Sequence, residues 1–259
     1  MKKGLFAVFS SLMLCSLLVM LAAGTVMAGN PDYSIMEYGA IGTTTVDGHW
    51  SEPLEWYDGP ELEMDGGSAL CVYNIDFGNY GMQWCVEFFD DDTDDEGDYW
   101  QICIDDSNTG GSTPQSGDYK IEIVGHTELK MYEGNGEGWT EITPQDGEIT
   151  WANMLDGSPR NTTPHWILEL VIIKTTRVAT NAPPTGMRVA AYDESTDTIV
   201  AWPPGSSADV PDEWGLIDGF SMDPIPENLT FAVMVFLSSV SLVVGSHYLQ
   251  KRSKKREIV

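Results

Sequence analysis

Positions 90–98 read Asp90-Asp91-Asp92-Thr93-Asp94-Asp95-Glu96-Gly97-Asp98. Carboxylates crowded on a short run offer the hard oxygen donors that suit a six-to-eight-coordinate calcium ion. Asp92, Asp94, Glu96 and Gly97 match the opening of a calcium-loop pattern, which makes Asp92 and Asp94 candidate ligands. The twelfth position of that pattern is Cys103 where an EF-hand needs an acid, so a complete EF-hand is not expected. A solvated acidic loop is the alternative reading.

Catalytic chemistry is not expected. His49, His126 and His165 are scattered without metal-ligand spacing, and neither a His-Glu-x-x-His pair nor a nucleophile elbow is present. Carboxylates are too numerous for any pair to mark glycoside hydrolysis.

The elements that must position these residues are strands. Met82-Gln83-Trp84-Cys85-Val86-Glu87-Phe88 alternates apolar with polar, the period of a half-buried strand. Further strands are predicted at 69–77, 99–105, 119–124, 149–153, 166–173, 187–192 and 198–202, separated by Gly, Asn, Asp and Pro clusters. Short strands without intervening helices predict an antiparallel sandwich. Alternation puts Trp100, Ile102 and Ile104 on the core side of their strand and Gln101 and Cys103 on the other. Tyr119, Ile121 and Ile123 likewise face in, while Lys120 and Glu122 face out. A polar face carrying Gln83, Glu87, Gln101, Lys120 and Glu122 is thus predicted, serving as a binding surface or as ordinary solvated sheet. Cys71, Cys85 and Cys103 are expected to give one disulfide and one buried thiol, with a Cys85–Cys103 cross-strand bridge as one pairing.

The two ends specify location. Lys2 and Lys3, the apolar run 5–23 and Val26-Met27-Ala28 predict a signal peptide over 1–28. Residues 229–249 are apolar and long enough to cross a bilayer, and Lys251, Arg252, Lys254, Lys255 and Arg256 follow as a basic cytoplasmic tail over 250–259. The expected protein is anchored at the cell surface by one pass, with residues 29–226 outside as one domain. The formal net charge is −27; without the signal and tail, six basic residues face thirty-nine acids, or −33. Such a surface repels nucleic acid and anionic lipid, and also keeps a protein solvated in salty surroundings.

A family resemblance spans most of 43–220. It begins at Val46-Asp47-Gly48-His49-Trp50-Ser51-Glu52 with Trp56, and continues through Phe89-Asp90 and Ile102-Cys103-Ile104-Asp105 before an Asn/Gly turn. Gly117-Asp118-Tyr119-Lys120 follows, then Ile199-Val200-Ala201-Trp202 and Trp214-Gly215. This order resembles the family 9 carbohydrate-binding modules, which are calcium-containing β-sandwiches. The resemblance implies a calcium site at Glu52 and Asp90, and a sugar site in which Gln101 and Lys120 bond hydroxyls. The family's two clamping tryptophans are unmatched, falling near Asp95 and near Asp209 or Val210. Trp202 and Trp214 are the candidates for a displaced stacking surface, with core packing as the alternative.

Two further resemblances bear on function. Pro226-Glu227, the apolar segment and the basic tail resemble the C-terminal sorting signals of archaeal surface proteins, which implies an archaeosortase-like processing enzyme as a partner. The sandwich also resembles haem-binding DOMON and ethylbenzene-dehydrogenase-type modules. That family ligates iron with Met plus Lys or His, for which Met82, Met131, Lys120 and His126 qualify by type. The expectation is an all-β, antiparallel, jelly-roll-like β-sandwich ectodomain plus one C-terminal transmembrane helix. It is expected to bind a polysaccharide or cell-surface glycan without turnover, with structural calcium; haem-based electron transfer and a purely structural envelope or adhesion role are the alternatives.

Overall fold

The computed structural model describes residues 29–36, 44–50, 55–56, 59–76, 81–173, 177–178 and 184–218. Contacts divide the chain into Met1–Phe220 and Ser221–Val259. All the described strands belong to the first unit. The predicted signal, the transmembrane segment, the basic tail and Glu52 lie outside the described residues. No helix among the described residues is long and apolar enough to cross a membrane.

The strands are β1 (Ser34–Met36), β2 (Glu61–Met64), β3 (Ala69–Asp76), β4 (Gly81–Phe88), β5 (Tyr99–Asp105), β6 (Asp118–Val124) and β7 (Glu128–Gly134). Then come β8 (Trp139–Ile142), β9 (Ile149–Asp156), β10 (His165–Ile173), β11 (Thr185–Asp193), β12 (Thr198–Trp202) and β13 (Gly215–Asp218). They form two sheets. The larger has the order β1-β13-β11-β5-β6-β7-β8, with β12 also paired to β11; the smaller has the order β2-β3-β4-β10-β9. Pairing is antiparallel apart from β1 with β13. The all-β sandwich is thus as expected, and the predicted strands at 99–105 and 198–202 match β5 and β12 to the residue.

The layers are held by one inter-sheet core. Tyr73, Trp84, Val86 and Leu168 point inward from the smaller sheet, meeting Trp100, Ile102, Ile121, Met131 and Val189 from the larger. Burying side chains of this size contributes about 1.5–3 kcal/mol each. The period-two geometry then obliges their sequence neighbours to face outward.

Two expectations about those outward residues are corrected. Gln83 and Glu87 lie on β4, in the smaller sheet, whereas Gln101, Lys120 and Glu122 lie on β5 and β6 in the larger; they occupy opposite outer surfaces, not one polar face. The same separation forbids a Cys85–Cys103 bridge. Cys71 on β3 points into the inter-sheet core while Cys85 on β4 points out of it, so those two cannot pair either. All three are buried free thiols. Burial pushes their pKa values up, Cys103 to about 12.

The outer surface of the smaller sheet is covered by residues 44–50 and 55–56. Trp50 and Trp56 pack there on Val72, Cys85 and Ile167 in a second small core. Glu169 of β10 ties the covering segment down: it accepts hydrogen bonds from Trp56 Nε1 at 2.8 Å, Asp47 N at 2.8 Å and Gly48 N at 2.9 Å. Gly48 has φ +83°, and a Cβ there would come within 2.9 Å of Asn153 backbone carbon, so glycine is required at this turn. Thr44 Oγ1 donates to Gln83 Oε1 at 3.0 Å.

Buried carboxyls make the fold pH-sensitive, Glu169 and Asp118 most of all. Burial raises Glu169 from 4.5 to about 7, against the hydrogen bonds that lower it. Burial, with the facing Asp105 carboxyl, raises Asp118 from 3.8 to about 7; the two residues are register partners across β5 and β6. Both groups hold protons when folded that the unfolded chain has lost by pH 5. Their stabilisation is therefore fully present below the unfolded values and lost as pH rises through 7. Thermal melts should give a higher Tm at pH 5.5 than at pH 8, and Asp118→Asn, which supplies the shared hydrogen permanently, should flatten part of that slope. A Tm that is flat or rises across this interval contradicts the assignment. In the native protein Cys71, Cys85 and Cys103 should resist a thiol-reactive dye and should react on denaturation without reductant.

Candidate functional site

The outer surface of the larger sheet carries a polar row set by strand register. Arg188 of β11 lies opposite Cys103 of β5, which faces Lys120 of β6, then Tyr132 of β7, then Glu141 of β8. One residue pair along, Gln101 faces Glu122, which faces Lys130. These side chains project outward because Ile102, Ile121 and Met131, one residue away on the same strands, are committed to the core.

Glu122 is the hub. Its Oε1 accepts from Gln101 Nε2 at 2.7 Å and lies 3.0 Å from Lys120 Nζ. Burial, then the charge and hydrogen bond of Glu122, push the Tyr132 phenol up to about 12. Lys120 Nζ also stands 4.3 Å from the Tyr132 ring centroid and 5.5 Å from that of Trp139, within cation–π range. Lys120 and Glu122 are each 14% exposed, so the charges are sheltered but reachable. Below them Arg188 is buried and held at two of its nitrogens: Nη1 donates to Gln101 Oε1, and Nε donates to Ser206 O at 2.9 Å and Ser206 Oγ at 3.1 Å.

The segment after β12 walls this surface. Trp214 Nε1 donates to Ser207 O at 2.9 Å, and Trp139 Nε1 donates to Asp209 Oδ1 at 2.9 Å. The Trp139 and Trp214 rings are parallel within 3°, with centroids 6.4 Å apart. A sugar ring between them would need contact on both faces, roughly 7–8 Å in all. The pair is therefore no clamp. Trp139 instead presents a half-buried ring at the rim, beside Lys120 and Tyr132.

The predicted residues fare differently. Gln101 and Lys120 meet on one surface through Glu122. Trp202 is 5% exposed within the inter-sheet core, edge-on to Tyr33, and Trp214 is fully buried against Trp139; neither offers an open ring face. Trp139 and Tyr132 were not among the sequence candidates. Trp139 directly follows Gly136-Glu137-Gly138, a turn that delivers an aromatic at a strand start, and that was the available signal.

A second cluster lies where the β4–β5 loop meets the ends of β6 and β11. Asp90, Asp92 and Asp94 are exposed and are not among the residues whose ligand atoms cluster there. Their neighbours converge: carboxylate oxygens of Asp95, Asp98 and Asp193 lie within 4.8 Å of one another, as do ligand atoms of Asp91, Asp98 and His126. Asp95 Oδ2 is buried without a hydrogen-bond partner. Asp98 accepts from Asp95 N at 3.0 Å and Glu194 N at 2.8 Å, which joins the loop to the turn after β11. The haem candidates are not brought together. Met82 and Met131 point into the inter-sheet core, Lys120 lies on the outer surface, and His126 lies in the turn between β6 and β7.

On the smaller sheet, a cavity of about 390 Å³ is lined by Glu61, Glu63, Leu70, Phe89 and Arg160. Arg160 is paired with Glu61 there.

No protein-family model matches the sequence, and no curated protein is similar to it. The structure is similar to a family 9 carbohydrate-binding module from Caldicellulosiruptor kristjanssonii in complex with glucose, with a TM-score of 0.51, 13% identity, and 75% of this chain and 99% of that one covered. A second structure of such a module from that organism, in complex with cellotriose, gives 0.52 and 14% over 74% and 97%. The likeness is one of fold.

Proposed function

We propose that the chain is a non-catalytic carbohydrate-binding module whose ligand rests on the outer surface of the larger sheet. The observation that carries this reading is the Gln101–Glu122–Lys120 group, sheltered beside Tyr132 and Trp139. Amide, carboxylate and ammonium groups bond sugar hydroxyls, while an aromatic face packs on the apolar C–H face of a pyranose. The two modules of similar fold hold glucose and cellotriose, which supports the same class of ligand here. Trp139 takes the stacking role, replacing the two-tryptophan clamp. Asp209, near which the resemblance would place one clamp ring, anchors the Trp139 indole.

Calcium completes the reading. The all-oxygen trio Asp95, Asp98 and Asp193 fits a hard divalent ion, and the unpartnered Asp95 Oδ2 gives the ion a ready ligand. A bound ion would join the β4–β5 loop to the end of β11. Export by the N-terminal segment and retention by the C-terminal apolar segment are the remaining parts of the proposal, and a processing enzyme acting at Pro226-Glu227 is an extension of it.

Glycan-array screening of the full-length chain should return neutral polysaccharide ligands. Lys120→Ala and Trp139→Ala should each weaken the best of them by about 1–3 kcal/mol. An array without binders, or unchanged affinity in both variants, rejects the site. Removing calcium with a chelator should lower Tm by several degrees, reversed by added calcium in the parent and not in Asp193→Asn. Equal melting with and without chelator rejects the ion.

A further inference from the structure

His126 occupies the turn between β6 and β7 with φ +57° and is 8% exposed. Its ring lies flat on Trp166, with centroids 3.5 Å apart and planes within 7°. Nδ1 lies 3.1 Å from Asn153 Oδ1, and Nε2 lies 3.1 Å from Asp98 Oδ2. The orientation of the Asn153 amide is settled by its other contact: Nδ2 donates at 3.0 Å to the His126 carbonyl, which can only accept. Asn153 Oδ1 therefore faces the imidazole, and Nδ1 must carry the hydrogen.

A neutral ring in that tautomer leaves Nε2 as a bare lone pair, aimed at the Asp98 carboxylate. Two acceptors at 3.1 Å need a positive species shared between them, a proton or a metal ion. A proton cancels one charge. Asp91, buried and within 4.8 Å of both groups, adds another carboxylate, and among the described residues neither Asp91 nor Asp98 has a Lys or Arg partner. A metal-bound histidine usually donates its far N–H to a carboxylate, a backbone carbonyl or water, and the Asn153 amide oxygen fills that acceptor position here. One nitrogen and two carboxylates suit a borderline divalent ion, which hard calcium is not.

We propose that Asp91, Asp98 and His126 bind a divalent cation of the zinc class, at a nitrogen-containing site beside the all-oxygen calcium trio and sharing Asp98 with it. The three ligands come from the β4–β5 loop and the β6–β7 turn, and Asn153 of β9 holds the histidine from the smaller sheet. The ion would thus fasten the two sheets together at one end of the sandwich. The inference is independent of the sugar site.

Titrating the metal-stripped full-length chain with Co²⁺ tests it. The expected result is a visible ligand-field band that Zn²⁺ displaces. The band should weaken at least tenfold in apparent affinity in His126→Gln, while calcium still raises Tm in that variant. Asp91→Asn, which leaves the calcium trio whole, should show the same loss and serves if His126→Gln does not fold. In the unmodified protein, nitrogen-15 spectra of the histidines should show Zn²⁺ moving the Nε2 signal of His126 while Nδ1 keeps its hydrogen. No cobalt band, a band unchanged in both variants, or an imidazolium at His126 that Zn²⁺ does not move would overturn the site. Loss of the calcium response alone would sink the calcium reading and leave this one standing.

Discussion

Everything on the outer surfaces follows from the commitment of alternate residues to one inter-sheet core. Ile102, Ile121 and Met131 cannot leave that core without exposing large apolar groups, so Gln101, Cys103, Lys120, Glu122 and Tyr132 have one direction available. A slip of one residue in β6 would bury Lys120 and Glu122 together and expose Tyr119, Ile121 and Ile123. The geometry of the polar row is thereby inherited from packing on the opposite side of the sheet. Arg188 fits the same logic: its guanidinium is buried among Gln101 and Ser206 and acts as a brace under the exposed groups.

The part of this that sequence reveals is the part governed by period two. Strands with clean alternation, such as β5 and β6, could be read with their faces, and Gln101 and Lys120 were placed together on that basis. β7 and β8 were not recognised: β7 is rich in charge, and β8 has only four residues, so neither shows a strong pattern. Their absence hid Tyr132 and Trp139. Sheet membership was equally illegible, since alternation says which side a residue faces and nothing about which sheet holds its strand. That is why Gln83 and Glu87 were grouped with Gln101, and Cys85 with Cys103.

The acidic loop shows a different limit. A run of carboxylates announces ion chemistry by composition, but which of them converge depends on the turn, and the turn buries Asp91 and Asp98 while leaving Asp90, Asp92 and Asp94 exposed. Asp193 and His126 then join from distant parts of the chain. No local pattern in either segment marks them, because their meeting is a product of the β5–β11 and β5–β6 pairings.

Glu169 and the covering segment also bear on how the molecule is assembled. Its three hydrogen bonds link residues 113 to 122 positions apart, so the segment synthesised early has no carboxylate to dock on until β10 has formed. Contacts of such long separation slow folding, because the chain must close a large loop before it gains from them. Until then Val72, Cys85 and Ile167 stand uncovered, with a free thiol among them. Docking of the segment therefore requires β10 to be in place, and it is the contact that covers Cys85.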